Sequence, residues 1–488
     1  MTSISIVARL CQPKHPANTH DLHLLARNPA LLPPWVRSSP LVQHYLQLLG
    51  PLDWRRFPER DLVTLRGMPP VPFKPFVAAC LIKLDQQLPY FSHLRHYLLN
   101  HPALVWLLGF PLVPTRKTAY RFDVDASLPS QRHLPRLLRK VPNASLQVLL
   151  DETVRLLRAE LATSAPDFGQ VVALDTKHIL AWVRENNPRE YLKDRFVKDR
   201  QPSGDPDCRL GCKRKSNQRT ALQRQTAATV VPPTPPDNPV PAATIAVAEY
   251  YWGYASGIVT TKVPAWGEFV LAELTLPFNQ PDVVYFQPLM QATEQRLGFR
   301  PRYAALDAAF DAFYIYDYFY RPDEPISAGF AAIPLSKRGG HQRQFDPQGL
   351  PLCEAGLPMP LKYAYTCKTT RVQHERGRYA CPLHYPQRTA DSCPVHHKNW
   401  AKGGCLTTLP TSIGARLRYQ IDRQSETFKQ IYAQRTATER LFSCAKALGI
   451  ERPKLRNGQA IINQNTLIYV LLNLRALQRV RQQKQHLS

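Results

Sequence analysis

The chain has 488 residues, 44% of them apolar, which excludes wholesale disorder and leads us to expect roughly two to four folded units. Lys and Arg outnumber Asp and Glu 63 to 37, for a formal charge of +26 and an isoelectric point near 9.8. The surplus runs through the whole chain and makes a long-range field that attracts polyanions, nucleic acid foremost. No apolar run of about 18 residues is present, so no transmembrane helix is expected. Residues 1–12 lack the order of a secretory signal, so the expected location is cytoplasmic, with the ten cysteines reduced, structural or metal-bound.

Residues 1–45 read as an irregular, proline-bearing extension and 46–160 as an all-α domain. Within that domain Phe76–Ile82 spells a buried helix. Leu94, Tyr97, Leu98, Val105, Leu107 and Leu108 keep helical spacing across a break at Pro102, and Leu134–Leu138 and Leu146–Leu161 give two more helices. Basic residues at the helix ends fit a bundle that places a helix in a DNA groove, and equally a plain support domain.

From 161 to 339 the pattern turns to strands. Phe168–Leu174 predicts a short buried strand ending at Asp175. Residues 201–245 predict a mobile linker. Its first half is basic (Lys213, Arg214, Lys215, Arg219, Arg224) and its second half proline-rich (Pro232, Pro233, Pro235, Pro236, Pro239, Pro241). Strands are expected over Glu249–Tyr254 and Phe269–Leu276, a helix over Met290–Leu297, and strands over Tyr303–Leu306, ending at Asp307, and Ala328–Leu335. A cysteine-rich, loop-rich insertion occupies 340–419. The 420–488 segment then completes an α/β core with a helix around 425–448 and an apolar helix from Ile461 to about Arg481.

Two strands thus end alike, Val-Ala-Leu-Asp at 172–175 and Ala-Ala-Leu-Asp at 304–307. Two carboxylates side by side repel unless a cation sits between them, and hard oxygen ligands suit Mg²⁺ or Mn²⁺. Each aspartate alone reads more often as a turn or cap residue. Asp311 competes with Asp307; Asp307 is preferred because it directly follows the apolar strand. In the late helix, Tyr432, Arg435, Glu439 and Lys446 fall within an arc of about 60° on one continuous α-helix. A surface ion pair explains Arg435 and Glu439, but not the ring and the lysine in line with them.

This Tyr-x2-Arg-x3-Glu-x6-Lys spacing resembles the Y-R-E-K signature of a large group of bacterial insertion-sequence transposases. His101–Phe110 with Arg121-Phe122, and Trp252-Gly253-Tyr254, are similar to further parts of one branch of them, so the resemblance spans roughly residues 50–480 with gaps. It implies a ribonuclease-H-like mixed sheet flanked by helices, interrupted by an insertion and preceded by an all-α domain. It implies an Asp-Asp-Glu triad at Asp175, Asp307 and Glu439 holding two Mg²⁺ or Mn²⁺ ions about 4 Å apart, with Asp175 bridging them. Arg435 and Lys446 would hold phosphates near the cut, and Tyr432 would contact a phosphate or stack near a distorted end. The implied chemistry is strand nicking by water, hairpin formation, excision and strand transfer, carried out on terminal inverted repeats and target DNA by a nucleoid-associated homodimer. The alternatives are a catalytically silent transposase-derived DNA-binding protein, a nuclease without strand transfer, and a zinc-braced regulator.

Cys353, Cys367, Cys381, Cys393 and Cys405 recur every 12 to 14 residues, with His384, His396 and His397 among them. They read either as ligands of a structural Zn²⁺ bracing the insertion, or as reduced thiols in small pockets. Cys208 and Cys212 have closer spacing but lie in the expected linker.

Overall fold

The computed structural model describes residues 21–62, 70–219, 243–325, 328–335, 343–368 and 372–487. The chain is helical well before residue 45, which corrects the irregular extension expected there. Helix α1 (Leu22–Arg27) starts where Asp21 accepts hydrogen bonds from the amides of His23 and Leu24 at 3.0 and 3.3 Å. Proline at the first turn opens α2 (Pro34–Arg37) and α3 (Pro40–Leu49). Then follow α4 (Phe73–Asp85), α5 (Phe91–Leu99) and α6 (Pro102–Leu108), the last begun by its proline and ended by Gly109 in the left-handed region at φ 80°. A two-residue ribbon, β1 (Val113–Pro114) with β2 (Phe122–Asp123), and α7 (Val124–Ser127) lead into α8 (Leu134–Lys140) and α9 (Asn143–Leu161). In α9, Leu146, Leu149, Leu150, Val154, Leu157 and Leu161 are buried along one stripe.

The central sheet is mixed and flanked by helices. Its path is β4 (Arg209–Arg219), β5 (Ala243–Val263), β3 (Val171–Leu180), β7 (Tyr303–Ala305), β8 (Phe330–Ala332), with β6 (Gly267–Pro277) also paired to β5. Strands β4, β3 and β6 run antiparallel to β5, whereas β7 is parallel to β3 and β8 to β7. Strand β3 therefore does not stop at Asp175. Its polar continuation, Asp175 to Leu180, is held by register with Ile258 to Gly253 of β5, because an edge-to-edge ladder with a long neighbour satisfies the backbone whatever the side-chain pattern. Residues 209–219 and 243–245 of the expected linker belong to the β4–β5 ribbon; Arg224 and the prolines from 232 to 241 lie outside the described residues. Helix α10 (Phe286–Leu297) packs on β5 and β6, and α11 (Phe313–Phe319) follows β7.

The insertion is not merely loops. It carries an antiparallel sheet, β11 (Leu406–Pro410), β10 (His374–Ala380), β9 (Leu361–Cys367), over a small cluster of Met359, Tyr379, Leu409 and Tyr419. Helix α12 (Ile413–Gln420) packs on α11. The single helix expected around 425–448 is two, α13 (Glu426–Ala433) and α14 (Thr436–Ala447). The chain ends in α15 (Gly458–Leu487), which packs on α4, α8 and α9 of the helical part and on β6 of the sheet.

Polar side chains pin that last helix. Buried Asn473 accepts from Val270 N at 2.9 Å and donates to Val270 O at 2.8 Å, next to the irregularity in the β5–β6 ladder. Its amide thus replaces a missing strand partner. Asn463 donates to the carbonyls of Leu138 and Val141 at 2.7 and 2.8 Å, and Ser256 shares a 2.9 Å hydrogen bond with Tyr469. Among the described residues no helix is long and apolar enough to cross a membrane.

Candidate active site

The parallel pairing of β3 with β7 matches Ala173 to Ala305. Two residues further along each chain stand Asp175 and Asp307, so the register itself brings these carboxylates alongside one another. Asp175 Oδ1 accepts the amide of Thr176 at 2.8 Å. Asp307 leaves the sheet just after buried Leu306 and caps the following short turn, accepting Ala309 N at 2.9 Å.

Asp311, the competing aspartate, is committed elsewhere. Its side chain is 1% exposed and takes both arms of Arg418, Nε to Oδ1 and Nη2 to Oδ2, each at 2.7 Å. It also accepts from the hydroxyl of Tyr316 at 3.0 Å. A bidentate buried pair of this kind ties α12 to the segment just before α11 and leaves Asp307 as the carboxylate that faces Asp175.

The break between α13 and α14 delivers the third acid. Gln434 and Arg435 donate their amides to Ile431 O and Tyr432 O, and Ala437 and Thr438 to Gln434 O and Arg435 O, each three residues back and 3.0 to 3.1 Å long. This tightened turn advances the chain faster than an α-helix. The expected single face therefore splits. Arg435 sits at the break, Glu439 in the first turn of α14 and Lys446 in its last. Tyr432 stays with α13, its ring stacked on Phe428 at 6.0 Å and against the sheet core.

Arg435 spans the site. Its Nη1 donates to Asp175 Oδ2 at 3.1 Å and its Nη2 to Glu439 Oε1 at 2.5 Å. The ion pair between Arg435 and Glu439 exists, and Arg435 reaches a strand carboxylate as well. Lys446 lies further off, paired with Glu451 at 3.0 Å. Lys177, two residues after Asp175 on β3, approaches the same carboxylate at 3.8 Å.

A fourth carboxylate was missed in the sequence. Asp282, in the turn after β6, accepts the hydroxyl of Thr176 at 2.7 Å and acts electrostatically on Asp175 and Asp307. Only a Pro-Asp turn marks it in the sequence, which any loop supplies. Burial pushes Asp175 up to about 6, with Asp307 and Asp282 adding to the rise and the Thr176 amide and Arg435 opposing it. Burial also raises Asp307 and Asp282. Burial works against the Arg435 charge, but Asp175 and Glu439 outweigh it and its pKa is raised.

The cluster is thus rich in negative charge, with one guanidinium where a cation is wanted. Its donors are all hard carboxylate oxygens, the set that Mg²⁺ or Mn²⁺ takes. With Arg435 between Asp175 and Glu439, no three His, Cys, Asp or Glu side chains among the described residues stand at metal-holding distance.

Beyond β3 the surface is basic and aromatic. Trp182, 41% exposed, has Arg456 and Lys454 over its ring at 4.9 and 5.5 Å. It borders a cavity of about 320 Å³ that Arg184, Asn187 and Arg452 also line.

No family model matches the chain, and no curated protein matches it.

Proposed function

We propose that this chain is a DNA transposase that moves an insertion sequence by divalent-metal-dependent phosphodiester cleavage and strand transfer, built on a ribonuclease-H-like core. One observation carries the reading: Asp175, Asp307 and Glu439, from segments far apart in sequence, are gathered around Arg435, which bonds two of them. The sheet supports it too, with the first aspartate on the central strand β3 and the second just beyond its parallel neighbour β7.

Asp175, Asp307 and Glu439 would hold two Mg²⁺ or Mn²⁺ ions, which when bound activate the attacking oxygen and neutralise the leaving one. The chain's own residues do the rest. Asp282 holds the Thr176 hydroxyl, and the Thr176 amide holds Asp175 Oδ1. Arg435, released from the carboxylates, is placed to hold a phosphate oxygen at the cut. Lys446 and Lys177 offer charge further along the strand, and Trp182 with Lys454 and Arg456 continues the basic surface. Paired element ends call for a homodimer.

The test incubates purified protein with labelled DNA carrying the flanking element ends and Mg²⁺ or Mn²⁺, beside Glu439→Gln. Metal-dependent cutting at the ends that the variant lacks is the expected result. Tight end binding with no cutting under either metal would replace this reading with the catalytically silent one.

A further inference from the structure

The insertion between β8 and α12 has little to fold around. Its own buried apolar cluster is Met359, Tyr379 and Leu409, joined by Tyr419 of α12, and a core of that size does not order a segment of this length unaided. Four of its cysteines share a second organisation, in which each stands at a turn. Cys353 opens one closed by Gly356 N to Cys353 O at 2.9 Å. Cys381 follows β10, its carbonyl accepting the amides of His384 and Tyr385 at 3.1 and 3.0 Å. Cys393 accepts His396 N on its carbonyl at 3.1 Å and His397 N on its sulfur at 3.5 Å. Cys405 precedes β11, after Gly403 and Gly404 at φ 95° and 79°.

These turns converge. Cys353, Cys381, Cys393 and Cys405 all line one cavity of about 10 Å³, the room of about one water-sized sphere. Cys405 is hydrogen-bonded to Cys381 and lies in electrostatic range of Cys353. A Cβ at Gly404 would stand 2.8 Å from Cys381 Sγ, so only glycine lets this segment pass so close to that sulfur. All four thiols are free. Cys367, at the far end of β9, does not line the cavity.

We propose that Cys353, Cys381, Cys393 and Cys405 bind one structural zinc ion as four thiolates. Soft sulfur donors arriving from separate turns suit a closed tetrahedral Zn²⁺ site, and an amide donating to a cysteine sulfur, as His397 does, stabilises the thiolate form. On binding, the four thiols release four protons to solvent and no atom changes oxidation state. The sulfurs ring the cavity without yet closing on a centre, since no three such groups among the described residues stand at metal-holding distance; the ion draws them in. His397 beside them is not needed as a ligand, because its Nδ1 already accepts Asn399 N at 3.2 Å. Zinc here braces β9, β10 and β11 at the end opposite α12. At the α12 end Arg416 donates to Pro410 O at 2.9 Å, and Arg418 holds Asp311, four residues after Asp307 in the chain. The site stands whether or not the chain cuts DNA.

Full-length protein is purified from zinc-supplemented medium without chelator and its zinc measured by elemental analysis. About one equivalent is expected, with Cys381→Ser and Cys393→Ser each below about a tenth and with His384→Ala and His397→Ala unchanged. Because a serine variant can misfold, the reduced, zinc-stripped wild-type chain is also titrated with Co²⁺. Four thiolates give sulfur-to-metal charge-transfer absorption in the near ultraviolet and strong tetrahedral bands in the visible. Wild-type protein with less than about a tenth of an equivalent of zinc and no cobalt bands overturns the proposal. Zinc retained in the serine variants, or lost in either histidine variant, overturns the ligand set.

Discussion

Asp175→Asn tests the electrostatic account of the site most directly. An aspartate in the unfolded chain gives up its proton near 3.8, whereas Asp175 in the fold holds it up to about 6. Between those values the folded state binds more protons than the unfolded one, so stability falls as pH rises through the window. Above it the full cost is present; below 3.8 there is none. The displacement corresponds to about 3 kcal/mol. The side chain is 19% exposed, so solvent screening trims this to about 1–3 kcal/mol. Asparagine imitates the protonated acid, and the value already contains the opposing attraction of Arg435. Metal-free Asp175→Asn should therefore melt higher than wild type at pH 8 by about 1–3 °C, and the gap should close as pH approaches 4. Adding Mg²⁺ should raise the wild-type midpoint and leave the variant where it was. Thermal melts followed by circular dichroism across pH, with and without the ion, read this out. A variant no more stable than wild type at pH 8, with an unchanged pH dependence, would refute the reasoning.

Removing the carboxylate in Asp311→Ala leaves the nearly buried Arg418 charge unpaired, and should cost about 3–5 kcal/mol in denaturant melts, whereas Asp307→Asn should not destabilise the metal-free chain; the reverse order would exchange their roles. Asn473→Leu strands both backbone groups of Val270 and should cost about 2–4 kcal/mol, visible as faster hydrogen exchange in β6 before global unfolding. Replacing Lys454 and Arg456 with alanine should weaken DNA binding and make its log–log salt dependence shallower by about 2. An unchanged salt slope would remove the Trp182 surface from the DNA path.

Short-range signals in the chain were enough for much of the fold. The helical stripes of α9 and α15, the strands β6 and β7, and Asp307 just past its strand follow from periodicity and caps, which are local properties. Tyr432, Arg435, Glu439 and Lys446 were also picked out by spacing alone. What spacing could not supply was the break at 434 and 435. No proline or glycine marks it, and it splits the expected face, leaving Arg435 as the bridge between α14 and β3.

The same limit applies to β3, whose polar second half is a strand only because β5, about 80 residues later in sequence, offers it a ladder. The start of the chain errs the other way, where prolines read as irregularity serve as first-turn residues of α2 and α3. Asp282 joins the carboxylate cluster through a hydroxyl on another strand, and four cysteines at 12-to-28-residue intervals meet at one cavity. Composition and local order determined most of the candidate residues and most of the segments that hold them. Which of those residues meet depended on parallel register, ladder partners and close backbone approach, all of them contacts between distant parts of the chain that no local pattern encodes.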